Sequence, residues 1–206
     1  MPNLNINYIK TFKIAAITFS LCGCATSPPT VSSGNIAYGD SGAVETLTNE
    51  FSSTDLQNIA ETMASSLLQA PVLAAESRPL VTIDEVKNRT SEYIDTKAIT
   101  DSIRSKILKS GLVRFAADTS AMQSQVDELM RQNQSGLYKK SNAAQIGKME
   151  GAAFRIEGSI SSIVKHATNI KDVYYKFSLQ LIKNETGIME WADEKEIRKT
   201  SQRSMF

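Results

Sequence analysis

From Val173 to Leu181 the chain alternates without a break. Val173, Tyr175, Phe177, Leu179 and Leu181 fall on one parity, and Tyr174, Lys176, Ser178 and Gln180 on the other. A period of two is the mark of a strand that sends one face into a core and the other into water. Such a strand needs paired neighbours and a layer over its apolar face, which restricts the chain to sheet-containing folds. The neighbours are legible. Phe154 to Val164 reads as a strand with Phe154, Ile156, Gly158 and Ile160 on one side. Asn184-Glu185-Thr186-Gly187 forms a hairpin turn in which Gly187 suits a positive φ. Met189, Trp191 and Ile197 lie on the returning strand, with Trp191 expected in the core.

Upstream the period changes to that of helices. Thr54-Asp55-Leu56-Gln57 has the form of a capping box, Leu56, Ile59, Ala60, Met63 and Leu67 follow at helical spacing, and Pro71 closes the segment. Pro79 to Val86 reads as a buried strand through Leu80, Val81, Ile83 and Val86, and Asn88-Arg89-Thr90 as a polar loop after it. Asp95 or Thr96 caps a second helix with Ile99, Ile103 and Ile107 as its stripe and Gly111 as its stop. Leu112 to Ala116 is a short strand. Asp118 to Ser120 caps a third helix bearing Met122, Val126 and Leu129, and Ser141 caps a fourth that ends at Gly151. No internal repeat is apparent. The order β-α-β-α-α-β-β-β after a leading helix predicts an α/β (α+β) fold. It is a single small domain over residues 54–206, with a mixed, mainly C-terminal antiparallel sheet of about four to five strands flanked by helices.

The N-terminus is of another kind. Lys10 and Lys13 precede an apolar run from Ile14 to Leu21, too short to span a bilayer and suited to a secretory signal. Leu21-Cys22-Gly23-Cys24 closes it as a lipobox. Cleavage before Cys24 would remove residues 1–23 and leave Cys24 carrying lipid. At ~0.8 kcal/mol per buried CH₂, roughly three acyl chains anchor a protein for practical purposes permanently. Ala25 is not the aspartate associated with inner-membrane retention, so the expectation is the outer membrane, on its periplasmic side. Cys22 leaves with the leader and Cys24 is consumed, so the mature chain has no thiol for a disulfide. Residues 24–53, with Ser, Thr, Gly and Pro28-Pro29, have the composition of a flexible tether. Its root-mean-square span is roughly 30 Å and its stretched limit about 95 Å. Basic side chains concentrate after residue 130 and acidic ones before it. That split serves either to steer a protein partner or simply to solvate different faces.

Little in the chain suits catalysis. His166, the single histidine, is expected in a solvated loop between strands. No metal-ligand spacing, nucleophile elbow or phosphate-binding glycine loop is present in the sequence. The acidic run Glu190–Glu196 suggests paired carboxylates for glycan cleavage, but it lies on a terminal strand with Lys195 within it, and an exposed face is the favoured explanation. Near-neutral charge disfavours nucleic acid. The expectation is a non-enzyme with no cofactor, no metal and no small-molecule substrate.

Taken together, the lipobox, the tether and four local signatures resemble the LpoB family, outer-membrane lipoprotein activators of class A penicillin-binding proteins. The signatures are Val86-Lys87-Asn88-Arg89-Thr90, Gly111-Leu112-Val113-Arg114-Phe115, Gly151-Ala152-Ala153-Phe154-Arg155-Ile156-Glu157-Gly158, and the hairpin from Leu181 to Trp191. Several of these residues have structural reasons: Gly111 and Gly151 as helix stops, Gly158 as a point of close packing. The resemblance implies a protein that reaches through peptidoglycan, binds an accessory domain of a bifunctional synthase and raises its activity. Two segments are expected to face that partner: Asn88, Arg89 and Thr90, and the connection holding Gln134, Ser135 and Tyr138. Arg and Tyr are common interface anchors. Asn88 has an alternative role in bracing its own turn. The rival functions are a structural, secretion or flagellar-assembly lipoprotein on a related fold, and a wall-degrading enzyme using Glu157 or Glu185.

Overall fold

The alternating segment is the middle strand of a three-stranded antiparallel block, and the rest of the fold is arranged around it. The computed structural model describes residues 39–202. In chain order the elements are α1 (Ser53–Leu68), α2 (Pro71–Ala75), β1 (Leu80–Ile83), β2 (Lys87–Arg89), α3 (Thr96–Ser110), β3 (Arg114–Phe115), α4 (Thr119–Gln134), β4 (Phe154–Ala167), β5 (Ile170–Lys183) and β6 (Met189–Gln202). The sheet runs β3-β1-β4-β5-β6, and β2 also pairs with β4. β1 lies parallel to β3 and β4, and β2 is parallel to β4 at Lys87↔Ser159 and Arg89↔Ser161. The hairpins β4–β5 and β5–β6 are antiparallel. The fold is therefore the mixed α/β arrangement expected, with one more strand.

One face of the sheet is dry. Phe154, Ile156 and Ile160 on β4 join Val173, Tyr175, Phe177, Leu179 and Leu181 on β5, all at most 2 % exposed. α1 covers them with Ile59, Met63 and Leu67, and α3 with Ile99, Ile103 and Ile107, residues the helical spacing singles out. Each such side chain contributes about 1.5–3 kcal/mol on burial. The opposite face carries Arg155, Glu157, Ser159 and Ser161 beside Tyr174, Lys176, Ser178 and Gln180, as alternation requires.

Several local expectations shift. The cap of α1 lies two residues earlier: Asp55 Oδ2 accepts from the Ser52 N–H (2.8 Å), while the Ser52 hydroxyl accepts from the Asp55 N–H. Thr54 and Gln57 serve the preceding segment instead, bonding Ala43 and Ser41 carbonyls. Pro71 does not merely end a helix but starts α2 at its first position, where its missing N–H costs nothing. The strand expected through Val86 stops at Ile83, and the chain steps out and returns as β2, so Lys87–Arg89 is strand rather than loop.

The fourth helix is absent. Residues 141–151 form turns without a helix, because Gly147 stands at φ 82 and no apolar stripe exists to be buried there. Gly151 is consequently no helix stop and lacks a positive φ, whereas Gly111 (φ 71) caps α3 as expected. His166 is exposed on β4 opposite Lys171, not in a loop. The strands run on past the body, where both faces meet water and the alternation that marks a strand fades. Trp191 is half-buried at the margin of the core rather than within it.

Residues 39–52, assigned by composition to the tether, lie against the body. The Asn49 side-chain amide donates to the Lys171 carbonyl (3.2 Å), the Phe51 N–H to Glu92 (3.1 Å), and Lys199 Nζ to the Glu50 carbonyl (2.7 Å). These partners sit where β4 and β6 end and β5 begins. The connection from α4 to β4 is at the other end, where Glu150 pairs with Arg114 at the start of β3 (2.9 Å).

Candidate interaction surface

The turn after β2 is built by its own side chains. Asn88 Oδ1 accepts from the Thr90 N–H (2.9 Å) and from the Thr90 hydroxyl (2.8 Å), and its amide nitrogen donates to the Glu92 carbonyl (2.9 Å). Asn88 therefore has the bracing role, as Asn does in Asx turns, and Thr90 shares it. Glu92 extends the brace inward: one oxygen accepts from the Tyr175 hydroxyl (2.6 Å) and the other from the Phe51 N–H. Burial and the hydrogen bond to Glu92 hold the Tyr175 hydroxyl far above the usual phenol range, so it stays a donor.

Arg89 is not part of this brace. It is exposed, has no ion-pair partner among the described residues, and lines a groove of about 600 Å³ on the polar sheet face. Lys87 flanks it on the same strand. Facing them are Glu157, Ser159, Gln180 and Glu194. Arg155 at 2.5 Å, with Gln180, holds the Glu157 carboxyl below its usual range. Glu194 is paired with Lys176. The groove thus sets the cations Lys87 and Arg89 beside the carboxylates Asp84 and Glu85, with the paired Glu157 and Glu194 also in its lining, a mixed polar lining that suits hydrogen-bonded recognition of a polar protein surface. Four residues beyond Arg89, Tyr93 is 94 % exposed, an aromatic held in water with nothing to cover it. It was not singled out from the sequence, although an aromatic in the polar run Ser91-Glu92-Tyr93 is the signal that marks it.

The second expected segment lies elsewhere. Gln134 ends α4, Ser135 is its cap and Gly136 turns at φ 72. Tyr138 is 38 % exposed, with the Arg131 guanidinium 5.3 Å from its ring centroid, so part of its surface is covered within the chain. No hydrogen bond or ion pair among the described residues joins this segment to the Asn88–Thr90 turn. Cys24 lies outside the described residues.

Of the carboxylates suggested for glycan cleavage, the strand's alternation sets Asp193 on the opposite face from Glu194 and Glu196, and Glu194 is engaged by Lys176. Glu194 and Glu196 pair across to Ser178 and Lys176 on the polar face, whereas Asp193 accepts from Ser66 of α1 on the other. Glu157, with its lowered pKa, is the wrong kind of acid to protonate a leaving group at neutral pH.

The family described as peptidoglycan-synthase activator LpoB matches residues 55–197. Among solved structures, the LpoB C-terminal domain from Salmonella enterica is 18% identical, with 70% of this chain and 99% of that one covered and a TM-score of 0.43. For the LpoB C-terminal domain from Escherichia coli the values are 20%, 69%, 98% and 0.44. Lipoprotein GNA1162 from Neisseria meningitidis gives 13%, 62%, 87% and 0.39. Comparison with curated protein sequences gives no match. The family match takes in α1, the whole sheet as far as Ile197 and all four sequence signatures, and on it the chain belongs to the LpoB family of peptidoglycan-synthase activators.

Proposed function

We propose that this protein is an outer-membrane lipoprotein, held by lipid on Cys24, that binds a class A penicillin-binding protein and raises its activity. The observation that carries the site is Arg89: an unpaired guanidinium on a rigid strand, in a groove, beside a turn braced by Asn88 and Thr90. Tyr93 adds an exposed aromatic four residues along. Arg and Tyr are the residues that most often dominate binding energy when a partner desolvates them.

The mechanism requires no chemistry from this chain and no cofactor. An activator shifts its partner only by binding the active form better than the inactive one. A tenfold gain in active fraction needs about 1.4 kcal/mol of such preference, within the reach of one well-placed charged contact. The tether confines this action to synthases that come within its span.

Two measurements test the reading. A synthase assay on lipid II, with and without this protein, should show faster glycan-chain formation when it is present; an unchanged rate overturns the proposal. In a binding titration, Arg89→Glu and Tyr93→Ala should each weaken affinity about tenfold or more with unchanged circular dichroism. Wild-type affinity in both variants would remove the synthase from this groove.

A further inference from the structure

The connection between α4 and β4 is unlike any other surface of the molecule. In the fifteen residues from Ser135 to Met149 there are three lysines, Lys139, Lys140 and Lys148, and no carboxylate. No ion pair engages any of these lysines among the described residues. Leu137 is 81 % exposed, Ile146 58 % and Met149 48 %. Exposed apolar pairs also occur at Val44 and Leu47, Leu108 and Leu112, and Ile188 and Met189; here three such side chains share one short segment with three lysines and no carboxylate.

The segment is folded rather than trailing. Asn133 at the end of α4 donates from its side-chain amide to the Ala144 carbonyl (2.9 Å), and the Ala144 N–H donates to Gln132 (2.9 Å). Gly136 and Gly147 both take positive φ to make its bends. The segment leads into the end of the sheet where β1, β3 and β4 begin, with Glu150 paired to Arg114 and the Ala153 N–H donating to the Leu80 carbonyl, and forms a tip there. Asn49 and Glu50 are held at the other end, beside Lys171 and Lys199. From Phe154 to His166, twelve residues along β4, the two ends stand about 40 Å apart.

We propose that this tip docks on an anionic phospholipid surface, Leu137 and Ile146 entering the headgroup boundary while Lys139, Lys140 and Lys148 meet lipid phosphates. Charge complementarity selects this occupant. Lysine is depleted in protein–protein interfaces, whereas aliphatic residues ringed by lysines with no acid among them are what binds an anionic bilayer surface. Lysine stems lie along the apolar zone and their ammonium groups reach the phosphates. The tip lies at the end of the sheet away from residues 49–51, so it can meet a phospholipid surface without obstruction from that segment. The inference rests on the lipoprotein reading only for which membrane is in reach.

The test uses the unlipidated chain from Ala25 to Phe206, which keeps every described residue, in flotation with phosphatidylglycerol–phosphatidylethanolamine vesicles and with neutral phosphatidylcholine vesicles. Wild type should float with the anionic vesicles, less at high salt, and not with the neutral ones. The pair Lys139→Glu and Lys140→Glu should lower partitioning about tenfold or more, and Leu137→Ser several-fold. Both sites are exposed, so folding should be unaffected and circular dichroism checks it. Arg89→Glu should float as wild type does, which separates this surface from the synthase groove. Equal binding to both vesicle types, no binding, or wild-type binding by the charge-reversed variant overturns the proposal. So does loss of synthase affinity in the lysine variant without any vesicle binding, since the tip would then belong to a protein partner.

Discussion

Gly158 has no side chain because its neighbours already occupy the space. A Cβ there would lie 2.6 Å from the Ser178 carbonyl oxygen and run into the Leu179 side chain. The obstruction is partly backbone of the paired strand, so it cannot rotate away. Gly158→Ala should cost about 1–3 kcal/mol, read as a lower urea midpoint with an unchanged slope. Asp55 and Lys199 make a second residue-scale point. Their side chains are 6% and 16% exposed and 2.7 Å apart, and Lys199 also donates to Ser52 and Glu50. Lys199→Met should cost about 2–4 kcal/mol, because it strands a buried carboxylate. In a double-mutant cycle with Asp55→Asn the losses should fall short of additive. Two arginine-paired carboxyls make stability depend on acid. Hydrogen bonding to Arg155 lowers Glu157 from its ordinary 4.5, and hydrogen bonding to Arg198 lowers Asp172 from 3.8. Their contribution to stability is complete above those ordinary values and is lost as pH falls through the lowered ones. Arg198→Gln should therefore lower stability at neutral pH and leave it unchanged in strong acid, which flattens the acid limb of a stability–pH curve; the loss is small because the Arg198 side chain is 68% exposed.

The elements differ in how firmly they are held. α1 buries Ile59, Ala60, Met63, Ala64 and Leu67, and α3 buries its isoleucine stripe. α4 has the same length as α1, yet Leu129 is its one side chain counted as buried among those described. Amide exchange should therefore report opening of α4 well before α1 or α3; equal protection in all three would contradict this packing. The strap of residues 39–52 is fastened at a few points, chiefly by Glu92, which holds both Phe51 and Tyr175. Phe51 also meets the Tyr175 ring edge-on at 5.8 Å between centroids. Much of this scale was legible beforehand. The two helices over the sheet and the long hairpins follow from periodicity, since a stripe or an alternation states which face is to be buried. The misplaced cap of α1 and the absent helix after Ser141 have the opposite cause. Ser52 and Thr54 are both competent caps, and a polar run with glycines is compatible with several backbone paths until tertiary contacts choose one.

As a whole the molecule has a polarity that no local pattern announces. Residues 49–51 are held at one end of the sheet, the Lys-rich tip occupies the other, and the Arg89 groove lies on the polar face between them. No described helix is long and apolar enough to cross a bilayer, and the proposed function assigns the permanent anchor to lipid on Cys24. Cys24→Ser should move the expressed protein from the detergent phase to the aqueous phase in a detergent partition; persistence in the detergent phase would refute lipidation at that residue. Of the candidate site, the sequence marked Arg89 and the Tyr138 segment by residue type alone. It placed Asn88 between two roles, and hydrogen bonds to Thr90 and Glu92 decided for the turn. Tyr93 became visible only once its neighbours were seen to leave it bare.

By itself the sequence determined what is encoded between near neighbours: the alternation of β5, the stripes of α1 and α3, Gly111 as a stop and the hairpin turn at Gly187. These depend on local backbone geometry and on which side chains dislike water. The tertiary structure alone decided the return of β2 to the edge of β4, the buried pair of Asp55 with Lys199 across 144 positions, and the clasp of Glu92 on Phe51 and Tyr175. It also decided that Ile160 is enclosed while Leu137 and Ile146 are left in water. Burial is a property of what packs above a residue, and that is fixed only when distant segments meet.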